Sequence, residues 1–494
     1  MTSRGGLLAA AALGVAAFAG CVTQRMTPGG PVAVTHNERP QHAVAQARSG
    51  PLQLVVLVSI AALTPRGYLE SAGQRAPMPF LAERAADGAL AERVESVAPA
   101  ATLPAHASLL TGRLPSHHGV TGELVQHAQG ATLPTPLDAI APHGATLLSV
   151  AKSRGLRTAA LGWPGSFGLP VDYFVPEEFP TAVAGWPSLL DASTTPALLE
   201  FAHRLGASNR AVASASAERD QVLVGLACQV LSSGAPPNLL LVRLSQSWPA
   251  VRDEGPASPQ AREAFAATDA ELRRLVGCVD ASAAGHSAAI FVVGDHGVVD
   301  LHSVLEPNVA LAEAGLLVPN PADPFLATRW SAYVRPSGGA AFVYARKEED
   351  AVLARKALRD AAAQTGAFRI VSADEMLRSG ADPEAWFGLE ATLGYEFGVA
   401  ASGPILHAAA QRGGAGYFPH QVVMAPGFVA FGAGVRPGVR IPRMREIDVA
   451  PTVAALLEVS LEDPAAEKSK VPDGRPLVGA LDFSGGAAGA PAGR

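Results

Sequence analysis

The hydrophobic positions of this chain fall into short continuous runs separated by longer amphipathic stretches. LQLVVLVSI (52–60), LRTAALGW (156–163), NLLLVRL (238–244), AAIFVVGD (288–295) and GFVAFGAG (427–434) have the length and apolar content of buried strands. Between them, ERDQVLVGLACQVLSS (218–233), AREAFAATDAELRRLVGCV (261–279), EEDAVLARKALRDAAAQ (348–364) and DVAPTVAALLEV (448–459) carry apolar residues at helical spacing. Strand, helix, strand alternation predicts an α/β domain whose mostly parallel central sheet is covered by helices on both faces. In such a fold the chemistry gathers in loops at the carboxyl ends of the strands. Between about 329 and 410 the pattern changes to WSAYVRPSGGAAFVYARKEED, a helix, and ADPEAWFGLEATLGYEFG, which reads as an inserted α+β cap.

The ends of the chain differ from its middle. Arg4 is followed by LLAAAALGVAAFAG and then Cys21, a targeting pattern too short to span a bilayer. FAGC resembles a bacterial lipoprotein box, which makes residues 1–21 a signal segment and Cys21 the lipidated first residue of a membrane-anchored protein of the cell envelope. An ordinary secretory signal cut nearby is the alternative, and either one exports the chain. Residues 22–50, polar and rich in Pro and Gly, read as a flexible tether, residues 51–480 as the folded domain, and 481–494 as a disordered tail.

With 494 residues, 48% of them hydrophobic, the chain has ample material for a large core. A formal net charge of −6 and the lack of a basic run interleaved with aromatics argue against nucleic acid as a partner. With Cys21 set aside, Cys228 and Cys278 remain. Each ends an apolar helical run ahead of a strand, so they either face each other as a disulfide or stay as two buried thiols. Neither a Walker loop nor a dinucleotide-binding glycine fingerprint follows a strand.

Two stretches carry a resemblance. VAPAATLPAHASLLTGRLPSHHGVTGE (Val97 to Glu123) and VVGDHGV (Val292 to Val298) resemble the nucleophile loop and the metal-binding D-H-G loop of the type I phosphodiesterase/nucleotide pyrophosphatase family, in the alkaline phosphatase superfamily. The similarity extends through LGWPGSFGLPVDYFVPE, LLLVRLSQSWPAVRDEGP and the segment from Gly416 to Val459, about residues 51 to 480. It implies an alkaline-phosphatase-like fold and a hydrolase with two divalent metals, zinc in the family, flanking a phosphoryl group. By resemblance the nucleophile is Thr102; the plain alternative is that Thr102 only caps a helix.

The metal positions depart from the family. One site uses a strand-end aspartate, the nucleophile, and the Asp and His of D-H-G. In this chain these are Ala61, Thr102, Asp295 and His296. The other uses an Asp and a His four residues apart and a third His near the C-terminus, where Trp248, Arg252 and Ala415 stand. A family asparagine that donates to the phosphoryl oxygen is replaced by Glu123. None of Ala61, Trp248, Arg252 and Ala415 can ligate zinc.

The implied cofactor is therefore none, or one weakly bound divalent metal at the remnant pair Asp295 and His296. Compensating ligands would have to come from His106, His117, His118, His302, His420 or Glu123, of which His106 and His118 occupy elements that are structural in the family. Asp448 reads as the cap of the last helix. Two functions follow as expectations. One is a catalytically degenerate pseudoenzyme that binds or scaffolds, with Arg252 and the helix N-terminus at Thr102 holding a phosphate- or sulfate-bearing ligand. The other is a weak or rerouted metal-dependent phosphohydrolase with Thr102 as nucleophile.

Overall fold

The computed structural model describes residues 53–70, 73–126, 132–134, 142–177, 185–207, 216–321, 323–462 and 471–482. The signal segment and the tether lie outside them, as does the tail apart from residues 481 and 482.

The central sheet is built from strands β1 (Leu54–Ile60), β2 (Ala89–Ala91), β3 (Thr158–Leu161), β4 (Tyr173–Val175), β5 (Leu239–Leu244) and β6 (Ala288–Gly294). A four-stranded sheet follows, formed by β7 (Ala332–Ser337), β8 (Ala340–Ala345), β9 (Phe368–Val371) and β10 (Phe387–Ala391). Strands β11 (Phe428–Gly432) and β12 (Val439–Ile441) then return to the central sheet. Its eight strands run in the order β12, β2, β11, β6, β1, β5, β3, β4. The β6–β1–β5–β3–β4 neighbours are parallel, and β11 runs antiparallel to both β6 and β2.

Every residue of β1 is buried, because both faces of the sheet are covered. Leu54, Val56, Val58 and Ile60 pack into one cluster with the helices α3 (Ser216–Leu231) and α5 (Pro259–Ala281). Val55 and Leu57 point the other way, into a cluster with Leu109 and Leu110 of α2 (Thr102–Thr111) and Val453 of α7 (Val449–Leu456). This period-two division makes an uninterrupted apolar run the correct signature of a central strand. Helix α1 (Pro79–Asp87) lies on the α3/α5 face, with its Phe80 and Leu81 N–H groups donating to the Asp269 carboxylate. Helix α4 (Ser247–Glu254) starts just beyond β5.

The two cysteines face each other. Cys228 of α3 and Cys278 of α5 form a disulfide with Cα atoms 5.3 Å apart, which resolves the alternative left open by the sequence.

The four-stranded sheet is antiparallel, ordered β7, β8, β10, β9, and carries helix α6 (Glu348–Thr365) over a core of Val334, Val343, Leu358, Phe387 and Leu389. One polar knot joins it to the segment after α2. Arg335 on β7 donates to Asp382 (2.7 Å) and Thr121 (2.9 Å to Oγ1), and Tyr344 donates to the same Asp382 oxygen (2.6 Å). Asp448 stands at the start of α7 but does not cap it with its side chain. Its carboxylate instead accepts the Arg445 and Arg475 N–H groups, at 2.8 and 2.9 Å, and so ties the preceding turn to the C-terminal segment.

Candidate functional site

Three neighbouring parallel strands, β6, β1 and β5, end side by side, so the loops that follow them are forced together. After β1 come Ala61 and Ala62, after β5 Ser245 and Gln246, and after β6 Asp295 and His296. Helix α2 lies on one face of these strand ends and presents its first turn to them.

Thr102 is the first residue of α2, not its cap. The cap position is Ala101, in extended backbone and without a side-chain bond, so the simple capping role for Thr102 does not hold. Its hydroxyl faces the strand ends, with Oγ1 3.4 Å from Asp295 Oδ2 and 3.4 Å from His296 Nε2. The helix ends at Gly112, whose φ of 67° lets its N–H reach back to Ser108 O.

Asp295 is fully buried. Its Oδ1 accepts the N–H of Ala62 (2.9 Å) and of His296 (3.0 Å), while Oδ2 faces Thr102 and His296. Ala62 reaches it from a left-handed conformation, φ 60°, that costs a residue with a Cβ about 1 kcal/mol. His296 donates from Nδ1 to Gly297 O (3.0 Å), because a carbonyl can only accept, and this leaves Nε2 as the acceptor beside Thr102. The glycine of the motif is steric: a Cβ at Gly297 would lie 1.9 Å from Val423 O.

The remaining family positions are occupied by groups of other kinds. Ala61 is buried, and its carbonyl accepts the Ser247 hydroxyl at 2.7 Å. Trp248, in the first turn of α4, packs its indole against His296, with centroids 5.4 Å apart and planes at 84°. Arg252, one turn further, has its guanidinium engaged by Asp253 at 2.7 and 3.0 Å. Ala415 has only a methyl side chain, and its carbonyl accepts from Gly339 N.

Glu123 caps the helix that the family uses for phosphate: its Oε1 accepts the Thr102 N–H at 3.0 Å. Both anion-binding groups expected from the sequence, Arg252 and the α2 N-terminus, are thus engaged by carboxylates of the chain itself.

The candidate compensating histidines are held elsewhere. His106, on α2, donates from Nδ1 to Thr102 O (2.7 Å) and accepts the Ser59 hydroxyl at Nε2 (2.8 Å). Burial, and then the Arg243 charge, push it down to about 3, so it is neutral near pH 7. His118 is buried on Ser108 Oγ (2.9 Å) and the Val120 N–H (3.1 Å). His117 pairs with Asp473, His420 with Glu390, and His302 with Ser303 Oγ. No cluster of three or more His, Cys, Asp or Glu side chains suited to a metal occurs among the described residues. With Trp248 against His296 and aliphatic side chains at Ala61 and Ala415, the donor set does not fit the family's two-metal arrangement.

One residue was missed by sequence reasoning. Arg243, the penultimate residue of β5, lies in register with Ser59 of β1 and so falls on the α2 face of the sheet. Its Nη2 is 3.7 Å from Asp295 Oδ2, and the side chain is 14% exposed. Its Nε is buried with no hydrogen-bond partner among the described residues. The only signal in the sequence was a lone charge inside NLLLVRL, an otherwise apolar run.

Arg243 sits in a desolvated surrounding. Burial pushes Glu177 up to about 8 and Asp220 up to about 7, and the Arg243 charge opposes both shifts. Asp295 is different. Burial works against its charge, yet the charges of His296, His106 and Arg243 and the Ala62 N–H outweigh it and hold its carboxyl below the ordinary aspartate range. Of these three, Arg243 is the permanent cation, because an imidazole can lose its proton and a guanidinium does not.

The comparisons agree with this architecture. Residues 55–384 match the model of the family described as type I phosphodiesterase / nucleotide pyrophosphatase. No match was found among curated proteins. Murine ectonucleotide pyrophosphatase / phosphodiesterase 5 is similar in fold, with a TM-score of 0.61 at 16% identity over 87% of this chain and 100% of that one. An inactive form of the murine protein in complex with AMP gives 0.61 at 15% identity, with the same coverage. The human counterpart gives 0.60 at 17% identity over 85% and 99% of the two chains. With more than half of its length matched by the family model, this chain belongs to the type I phosphodiesterase/nucleotide pyrophosphatase family.

Proposed function

We propose that this protein keeps the phosphodiesterase fold as an exported, envelope-anchored binding protein and has given up the two-metal phosphoryl transfer of its family. The observation that carries the reading is Trp248. At a family metal-ligand position it presents an indole, seated edge-on against His296, which is itself one of the two remaining candidate ligands. Ala61, Arg252 and Ala415 extend the same loss to the other ligand positions. A fold of this size keeps its stability without the metals, because burial on both sheet faces supplies most of it.

The ligand we infer is a small molecule bearing phosphate or sulfate. The murine relative solved in complex with AMP indicates the class of probe. In this chain the Arg243 guanidinium lies 3.7 Å from Asp295, and a ligand anion at the α2 N-terminus would have to displace Glu123. Export and anchoring rest on Arg4, the apolar stretch and Cys21, and the Cys228–Cys278 bond suits an oxidising compartment. Loss of palmitate labelling in Cys21→Ala would support the anchor, and undiminished labelling would remove it.

A second reading has its own support: the Thr102 hydroxyl still faces Asp295 and His296, as a reduced hydrolase with a single divalent metal would require. Turnover of a chromogenic nucleotide phosphodiester separates the two. The binding reading expects no hydrolysis above Thr102→Ala, with or without added zinc or manganese. Metal-stimulated turnover abolished by Thr102→Ala would establish the hydrolase instead.

A further inference from the structure

We propose that Arg243 is the built-in cation of this site: its guanidinium neutralises Asp295 in the role that a divalent metal has in the family, and it excludes a dication from the remaining Asp295 and His296 pair. The inference rests on the reading that two-metal catalysis has been lost, and it names what took the metal's place.

Position comes first. Strand register places Arg243 directly beside Ser59, on the face that carries α2, so its side chain runs along the sheet toward the same strand ends that hold Asp295. Asp295 spends Oδ1 on two backbone N–H groups, and its free side, Oδ2, looks toward Thr102, His296 and the Arg243 guanidinium. A metal shared by Oδ2, Thr102 Oγ1 and His296 Nε2 would share that free side with Arg243 Nη2, 3.7 Å from the same oxygen.

Charge then decides. A guanidinium does not lose its proton in a protein, so a dication placed there meets a permanent like charge at close range and in a poorly solvated setting. A buried arginine whose Nε has no partner persists only where its charge is compensated. Asp295, 3.7 Å away, does this. The arrangement is that of a metal site with an organic cation in place of the ion.

The test is zinc titration by calorimetry on the full folded chain, using the wild type, Arg243→Met, Arg243→Lys and Ala61→Asp. We expect no site-specific zinc binding in the wild type or in Arg243→Lys. Arg243→Met should gain one site at least tenfold tighter than any residual wild-type binding, and Asp295→Asn in that background should abolish it. A merely structural role for Arg243 would not move zinc affinity.

A folded Arg243→Met that gains no site overturns the inference and leaves the binding-protein reading intact. Zinc bound by the wild type and lost in Asp295→Asn overturns both. Should Arg243→Met fail to fold, Ala61→Asp carries the test, since restoring the family carboxylate with Arg243 still present should gain less than tenfold. A tight site in that variant overturns the inference.

Discussion

Glu123 offers the sharpest perturbation of the proposed anion subsite. Its carboxylate takes the Thr102 N–H at 3.0 Å, so a ligand oxygen reaching the same N–H must push Glu123 aside and remain near it. Replacing Glu123 by Asn restores the residue the family pattern places there and removes one negative charge. A unit charge held about 4 Å from a ligand anion opposes it by about 1 kcal/mol in bulk water and about 4 kcal/mol at a surface of intermediate dielectric. Glu123 is exposed, which sets the expectation near the lower figure. Relief of about 1 kcal/mol is roughly a fivefold gain in affinity for a monoanion and more for a dianion. Against this stands the lost cap on α2, about 1 kcal/mol of stability. Calorimetric titration with AMP and with inorganic sulfate at low salt reads the first effect, and thermal melting reads the second. Unchanged or weaker anion binding in a Glu123→Asn protein that melts within a few degrees of wild type would refute the reasoning.

Other parts of the structure make equally direct predictions. Reducing the Cys228–Cys278 bond, which closes a loop across a sequence separation of 50 residues, should cost about 4 kcal/mol on the chain-entropy model; a melting temperature unmoved by reductant, with both thiols shown to be free, would count against the pairing. Gly297→Ala should destabilise by several kcal/mol or abolish folding, since its Cβ would sit 1.9 Å from a carbonyl oxygen of the neighbouring loop; a soluble variant with wild-type stability would show that the loop yields. Glu177 is pushed from 4.5 up to about 8 by burial, so the folded state keeps a proton that the unfolded chain releases. The stability this contributes is full below about pH 4.5 and is lost as pH rises through about 8, with a slope of at most about 1.4 kcal/mol per pH unit. Glu177→Gln should remove that slope, and denaturation curves at pH 5 and pH 8 that change equally in variant and wild type would contradict it.

The elements were legible in the sequence because the central strands are short apolar runs buried on both faces and helices such as α5 and α6 alternate buried and exposed positions at helical spacing. Thr102, Asp295 and His296 were legible through their flanking motifs, and the structure brings them together at 3.4 Å. What escaped has physical reasons. Arg243 sits inside a strand, and its relation to Asp295 depends on how β5 registers with β1 and β6, which no local pattern shows. Arg252 looks available in the sequence, but its guanidinium turns back onto the adjacent Asp253, a side-chain orientation that no sequence pattern shows. The alternative of Thr102 as a helix cap rested on threonine being a common cap residue, whereas the helix takes Ala101 as its cap and begins at Thr102. The two cysteines read only as able to meet, since the crossing of α3 and α5 that joins them is a tertiary fact.

The central claim is that this family member holds its site together without metal. The most direct test is the metal content of residues 22–494 with Cys21 replaced, dialysed against zinc or manganese, freed of unbound ion and weighed per chain by mass spectrometry. The account predicts no bound equivalent. Two equivalents, or one that disappears in Asp295→Asn, would contradict it.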